Sequence, residues 1–230
     1  MRIVVIPAYN EEKAISSVIK ECLNHSDRVI VVDNNSSDQT FSVSKDSGAD
    51  VIECDIQGAG AATRSGIEYA LKYDPSVIVT IDSDGQHDPS EIDKVCNPLR
   101  VGADVVIGSR FISDGHMPKY RKLGNDIISL DYNYYADSRI RDTQSCFRAF
   151  TREIAENVKL TEDGFGFSTE FLIKARKLGA RIVEVPINCI YFEEFSQNST
   201  INPIKHGVSV LANTEKWRLK TDLWSMIKKF

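Results

Sequence analysis

Short runs of β-branched residues recur through the first hundred positions with helix-like stretches between them, and nothing else in the sequence restricts the fold as much. The runs cover residues 3–6, 29–32, 50–53, 77–81 and 104–107. They lack the polar alternation of a sheet with one wet face, so both faces of each strand must be covered. The stretches near 11–23, 38–46, 61–71 and 89–99 suit crossover helices. Such strand–helix–strand units join parallel neighbours through right-handed crossovers. The pattern therefore predicts an α/β fold: a mostly parallel, doubly wound, Rossmann-like sheet flanked by helices. Local punctuation agrees. Asp38 can cap the second helix and Gly48 falls at its end, while Asp88-Pro89 reads as a cap followed by proline at the first helical position.

After Gly108 the rhythm changes. A loop punctuated by Gly115 and Pro118 precedes a tyrosine-rich helix over 120–137, a strand over 144–150, a helix over 169–178 ended by Gly179, and a strand over 181–186. Residues 191–203 are polar and aperiodic, and 205–230 have helical character. No repeat or linker divides the chain, so one domain is expected.

In an open parallel sheet, ligands bind beyond the carboxyl ends of the strands. Here those ends carry Pro7-Ala8-Tyr9-Asn10-Glu11, then Asp33-Asn34-Asn35-Ser36-Ser37-Asp38, then Asp82-Ser83-Asp84-Gly85-Gln86-His87-Asp88, and then Gly108-Ser109-Arg110. Their convergence on one edge weighs more than any single motif. Asp82 and Asp84 follow a strand expected to be deeply buried, and carboxylates are the hard oxygen ligands that Mg²⁺ or Mn²⁺ prefers, with substrate phosphates completing the sphere. An acidic turn capping the next helix is the structural alternative, and Asp88 suffices for that. Asp33 can accept hydrogen bonds from a base or ribose; Asn34 and Asn35 serve equally as turn residues. Gly58-Ala59-Gly60-Ala61-Ala62 lets backbone approach a ligand or a neighbouring helix closely, but completes no phosphate-loop pattern.

A formal net charge of −5 argues against a basic nucleic-acid-binding surface. The five cysteines are scattered without a CxxC pair, as in a reduced, cytoplasmic protein. Pro7 stops the first apolar run too early for a signal peptide, and no stretch reaches the roughly 18 apolar residues of a membrane span. His25, His87, His116 and His206 share no zinc-ligand spacing.

The strand-end motifs resemble family 2 glycosyltransferases of the GT-A fold, especially the dolichyl-phosphate mannose or glucose synthase branch. Later pieces extend the likeness: Asp142-Thr143-Gln144-Ser145-Cys146-Phe147-Arg148-Ala149-Phe150 and Phe167-Ser168-Thr169-Glu170. The resemblance covers residues 3 to about 190 and implies a catalytic domain over 1–190, with a nucleotide-binding half at 1–108 and an acceptor-binding half at 109–190. Residues 191–230 would add a flexible loop and an amphipathic C-terminal helix.

What the resemblance implies is metal-dependent, inverting transfer of a hexose or N-acetylhexosamine from a GDP- or UDP-sugar to a polyprenyl phosphate. Pro7, Tyr9, Glu11, Asp33 and Asn35 would line the nucleotide. Asp82, Asp84 and Gln86 would hold Mg²⁺ or Mn²⁺ and the diphosphate. Arg110, Arg121 and Asn125 would hold the acceptor phosphate, with Asp142 and Ser145 closing over it. Asp84, Arg110 and Asp142 would be the catalytic set. The chain departs from the family pattern at Asp33-Asn34-Asn35, where Asp-Asp-Gly is frequent, and at Cys146, where glycine is usual.

A phosphate acceptor is already anionic and needs no general base, whereas a hydroxyl acceptor would need one, for which Asp142 is the candidate. That hydroxyl-acceptor enzyme is the nearest rival reading, followed by a sugar nucleotidyltransferase and a non-catalytic nucleotide-sugar-binding module. In the tail, Trp217, Leu223, Trp224, Ile227 and Phe230 share one helical face flanked by lysines. Residues 214–230 either lie in a membrane interface, making the protein peripheral, or pack on the domain or a second copy.

Overall fold

The computed structural model describes residues 1–111, 119–136 and 139–190, with short pieces at 212, 215–217 and 219–220. Among them, seven strands form one sheet: β1 (Arg2–Ala8), β2 (Arg28–Asp33), β3 (Asp50–Glu53), β4 (Val77–Thr80), β5 (Val105–Ser109), β6 (Arg148–Thr151) and β7 (Ile182–Pro186). Their order is β3-β2-β1-β4-β6-β5-β7. All neighbours pair in parallel except β6, which runs antiparallel to both β4 and β5.

The uninterrupted apolar runs acquire their meaning here. Successive residues of β1 and β2 feed two cores. Ile3, Val5, Ile30 and Val32 pack under α3 (Ala59–Leu71) and α7 (Phe167–Lys177). Val4, Ile6, Val29 and Val31 pack under α1 (Ile15–Asn24) and α4 (Ile92–Cys96). Each such side chain is fully or almost fully buried, a burial that stabilises by roughly 1.5–3 kcal/mol per large aliphatic residue. The chain steps outward from β1 to β2 to β3, then returns through α3 to β4 on the other side of β1. That reversal opens a crevice at the carboxyl ends of β1 and β4.

Most elements lie where the sequence places them, and the exceptions have physical reasons. The helix expected over 89–99 is broken into a 3₁₀ turn (Pro89–Glu91), α4 and a second 3₁₀ stretch (Asn97–Val101). Pro98 lacks an N–H and crowds the preceding turn, so the α pattern stops there. Asp88 does cap the first turn, accepting from Ser90 N at 3.0 Å. The strand expected over 144–150 begins only at Arg148, leaving 144–147 irregular. α6 (Arg152–Asn157) is too short to show periodicity in the sequence. α2 (Thr40–Asp46) and α5 (Lys119–Ala136) fall close to expectation.

The glycine stretch at 58–62 meets protein, not a ligand. Gly60 N and Ala61 N, at the start of α3, both donate to the Asp163 carbonyl, at 2.8 and 3.1 Å. Gly58 sits at φ +143°, and a Cβ at Gly60 would fall 2.2 Å from the Glu162 carbonyl oxygen. Gly60→Ala is therefore expected to destabilise the fold by about 1–3 kcal/mol, read as a lower urea midpoint. An unchanged midpoint would mean that the 162–164 loop does not rest on α3.

The tail reading also changes. Trp217 is only 8% exposed. Its indole donates to Glu162 Oε1 at 2.9 Å, and the Lys174 ammonium lies 4.1 Å from its ring centre. This tryptophan packs on the domain, the second of the two readings of the tail. Leu223, Trp224, Ile227 and Phe230 lie outside the described residues, as do 191–211. Among the described residues no helix is long and apolar enough to cross a membrane.

Candidate functional site

The ends of β1 and β2 are stitched into one wall. Asn10, at φ +56°, donates from its backbone to Ser36 Oγ and accepts from Ser37 N at 2.8 Å. Glu11 N donates to Thr40 Oγ1, and Glu12 N to Asp38 Oδ2. The Asp38 carboxylate also receives Thr40 N, but Gln39, not Asp38, occupies the cap position of α2. Pro7, one residue before the end of β1, is half-buried, and Tyr9 stands exposed just past the strand.

Asp33, Asn34 and Asn35 separate into three roles. Asp33 is 4% exposed; its Oδ2 accepts from Ser36 N, and its Oδ1 has no hydrogen-bond partner among the described residues. A buried carboxylate oxygen without a donor is costly unless a ligand supplies one. Asn34 is structural: its amide donates to the carbonyls of Cys54 and Ile56 and accepts from Gly58 N. Asn35 is an exposed turn residue at φ +63°, a conformation asparagine tolerates better than most.

Beyond β4, Asp82 and Asp84 share their field with Glu11 across the crevice. Burial, then Asp84, Asp82 and Asp38, raise the Glu11 carboxyl from 4.5 to about 7. Burial and then Asp84 likewise raise Asp82, although 36% of its side-chain surface faces the open crevice; Arg110 opposes the shift. Such a set of crowded carboxylates suits a divalent cation, which replaces mutual repulsion with shared attraction. Among the described residues no group of three or more Asp, Glu, His or Cys is placed to enclose a metal ion. The pair would thus hold a cation with the help of other oxygens, including those of a ligand. Gln86 follows in the same turn, its backbone N–H donating to Asp84 Oδ1 at 2.9 Å.

The sign of the resulting pH effect is determinate. A carboxyl whose folded pKa lies above its unfolded value stabilises the fold below the unfolded pKa, and that contribution vanishes as pH rises through the folded one. Metal-free protein should therefore lose melting temperature between about pH 4.5 and 7 through Glu11 and Asp82. The added stability from Mn²⁺ should be small at the acid end and grow toward neutrality. Melting curves with chelator and with Mn²⁺ measure both; equal stabilisation by Mn²⁺ throughout that range would remove the cation from this cluster.

The far side of the crevice is built on an ion pair. Arg110, just past β5, donates to Asp142 Oδ2 from N at 3.0 Å and from Nε at 2.8 Å, and to Oδ1 from Nη2 at 2.8 Å. Asn125, on the inner face of α5, adds Nδ2 to Oδ1 at 3.0 Å, while its own Oδ1 has no partner among the described residues. Asp142 is 0% exposed and Arg110 19%. Burial would raise the Asp142 carboxyl, but Arg110 and the four hydrogen bonds hold it below the ordinary range. A carboxylate so engaged is poorly suited to taking a proton. Its geometry is that of a group positioning Arg110, which speaks against the base that a hydroxyl acceptor would need. Ser145 is fully buried, with its hydroxyl accepting from Phe147 N, so it shapes the turn before β6. Arg121 falls on α5, with its side chain outside the described residues.

Sequence reasoning passed over two buried groups. His87 is 2% exposed, and its Nδ1 lies 3.4 Å from Asp82 Oδ2. Burial, and then Arg110, push its pKa down to about 3, so the ring is neutral and the contact is no ion pair. Arg148 is buried beneath the site, donating to the Ser168 and Thr143 carbonyls. Both stand inside motifs read for their neighbours; only packing reveals them. A cavity of about 660 Å³ lined by Arg2, His25, Ser76 and Arg100 opens at the opposite, amino-terminal edge and shares no residue with the strand-end cluster.

Comparison with known proteins agrees with this geometry. The family model described as "Glycosyl transferase family 2" matches residues 3–159. An uncharacterized protein of Methanocaldococcus jannaschii is 37% identical over 209 residues, spanning 87% of this chain and 86% of its own. A UDP-N-acetylglucosamine–dolichyl-phosphate N-acetylglucosaminyltransferase of Methanococcus voltae is 33% identical over 214 residues, spanning 82% and 85%. Glucosyl-3-phosphoglycerate synthase from Mycobacterium tuberculosis, crystallised with Mn²⁺, uridine diphosphate and phosphoglyceric acid, superimposes with a TM-score of 0.73 at 21% identity, over 95% of this chain and 78% of that one. The last likeness establishes the GT-A fold.

Proposed function

The chain belongs to glycosyl transferase family 2 and is a glycosyltransferase, and from that premise we propose that it transfers a hexose or N-acetylhexosamine from a nucleotide-diphosphate sugar to a polyprenyl phosphate, with inversion. The observation that carries the acceptor side is the Arg110 guanidinium, locked by Asp142 beside the acidic cluster. A fixed, planar, permanently charged fork suits a phosphate oxygen, and it also offsets the approach of an anion to Asp82 and Asp84. A relative that acts on dolichyl phosphate supports the same choice.

Each wall of the crevice then has a task. Asp33, with its unpartnered Oδ1, receives a hydroxyl or N–H of the nucleoside. Glu11 and the β1 wall with Pro7 and Tyr9 bound the nucleotide pocket. Asp82, Asp84 and Gln86 are the residues that would hold Mg²⁺ or Mn²⁺. Bound there, the cation would neutralise the charge that develops on the departing diphosphate. Arg110 and Asn125 hold the acceptor phosphate in line behind the anomeric carbon. That phosphate is its own nucleophile, its second ionisation lying near pH 6 by analogy with phosphorylated side chains, so no side chain need remove a proton.

The rival readings fit the geometry less well. A hydroxyl acceptor would call on Asp142 as base, and its oxygens are fully engaged. A nucleotidyltransferase would want a glycine-rich phosphate loop, and the one candidate is filled by the Asp163 carbonyl. The direct test is a screen of UDP- and GDP-sugars against a short polyprenyl phosphate and the matching polyprenol, with Mg²⁺, Mn²⁺ or chelator. Transfer to the phosphate alone, dependent on metal, is expected. Equal transfer to the alcohol would sink the assignment.

A further inference from the structure

Glu184 lies on β7, paired in register with Ile107 of β5, three residues before Arg110. An acidic residue on an edge strand ordinarily does no more than discourage pairing with another sheet. This one is half-buried and turned to a specific target. Its Oε2 accepts from Arg141 N at 2.8 Å and its Oε1 from Asp142 N at 2.9 Å. One carboxylate therefore spans two successive backbone amides at the residue that grips Arg110.

We propose that Glu184 is a positioning residue for the acceptor side: by fixing the backbone of Arg141 and Asp142 it fixes the Asp142 carboxylate, and through it the Arg110 guanidinium. Asp142 cannot orient itself, because among the described residues every hydrogen bond to its carboxylate comes from the groups it is meant to place, Arg110 and Asn125. Its heading must come from its backbone, and the Glu184 bracket holds that backbone from a strand anchored in the sheet. A two-point guanidinium–carboxylate contact tolerates little rotation, so loosening one amide pair should displace the fork. Burial, and more weakly the charge of Asp142, raise the cost of ionising Glu184. The two amide hydrogen bonds compensate for that cost, which a neutral residue at 184 would not incur.

The link to acceptor use rests on the proposed polyprenyl-phosphate activity; the link to Arg110 does not, and the experiment separates them. In ¹⁵N-labelled full-length chain, the Arg110 Nε–H resonance is identified by its loss in Arg110→Lys, and its solvent exchange is compared in wild type, Glu184→Gln and Glu184→Ala. Exchange should quicken by about tenfold in Glu184→Ala, with Glu184→Gln intermediate because an amide can accept from only one of the two N–H groups and opposes the other. In parallel kinetics the KM for polyprenyl phosphate should rise about tenfold or more, within the roughly hundredfold that a misplaced binding group can cost, while the KM for the sugar nucleotide stays put. Unchanged protection of Arg110 in Glu184→Ala overturns the proposal whatever the acceptor. Donor and acceptor KM rising together also overturns it, in favour of a general structural role. Lost protection in a protein whose wild type ignores polyprenyl phosphate keeps Glu184 as the positioning residue and discards the acceptor assignment.

Discussion

Asp84→Ala should lower the rate of sugar transfer by about a thousandfold and leave the fold standing. The loss reflects the several kcal/mol that a bound cation contributes to a departing diphosphate, at about 1.4 kcal/mol per factor of ten. The fold should survive because Asp84 belongs to the turn after β4, outside both apolar cores. Metal-free stability should even improve near neutral pH. Asp84 is the second cause, after burial, of the raised Glu11 carboxyl, so removing it returns Glu11 toward the ordinary glutamate range. Activity and stability then move in opposite directions, a signature that misfolding does not produce. Turnover with Mn²⁺ and melting curves with chelator measure the two. Wild-type turnover in Asp84→Ala after exhaustive chelation would remove the cation from the mechanism.

Asp142→Ala should damage both the fold and acceptor use. It deletes a fully buried carboxylate that takes three hydrogen bonds from Arg110, and breaking a buried ion pair typically costs 3–5 kcal/mol, so about that loss is expected by urea unfolding. Asp142→Asn keeps the shape and one acceptor oxygen, and it separates the two possible roles. Because its pKa is held below the ordinary aspartate value, the Asp142 carboxylate stabilises the fold above that value and loses this effect only as pH falls through the depressed one. Its contribution is thus constant through neutral pH. If Asp142 positions Arg110, the asparagine variant should raise the acceptor KM by a similar factor at every pH from about 6 to 9. If it were a base, kcat would fall and the acidic limb of the rate profile would go with it. Disappearance of that limb would restore the hydroxyl-acceptor reading.

How far the residues were legible depended on how local their cause is. Asp88 and Pro89 shape the turn they occupy, so reading them in order sufficed. Asp82 and Asp84 were legible because a buried strand has one direction in which to deliver the residues at its carboxyl end. Asn34 and Asn35 looked equivalent in sequence. One became a three-way brace for the loop before α3, and the other a left-handed turn, because only the first faces Cys54, Ile56 and Gly58. Gly58 and Gly60 announced a close approach without naming the visitor, which arrives from Asp163, about a hundred residues along the chain. Trp217 announced an apolar face, and its partners Glu162 and Lys174 are likewise distant in sequence.

The order of elements, the buried parallel sheet and the edge at which polar residues gather were determined by the sequence alone. They arise from backbone periodicity, from the handedness of crossovers and from the need to cover both faces of an apolar strand, all of which act over a few residues. The roles of Asp142, His87, Arg148 and Glu184 were decided only by the tertiary structure. A carboxylate or an imidazole takes its protonation, and therefore its chemistry, from the charges and donors around it. Here those neighbours are supplied by other strands, above all where the reversed β6 and the edge strand β7 bring distant residues against the end of β5.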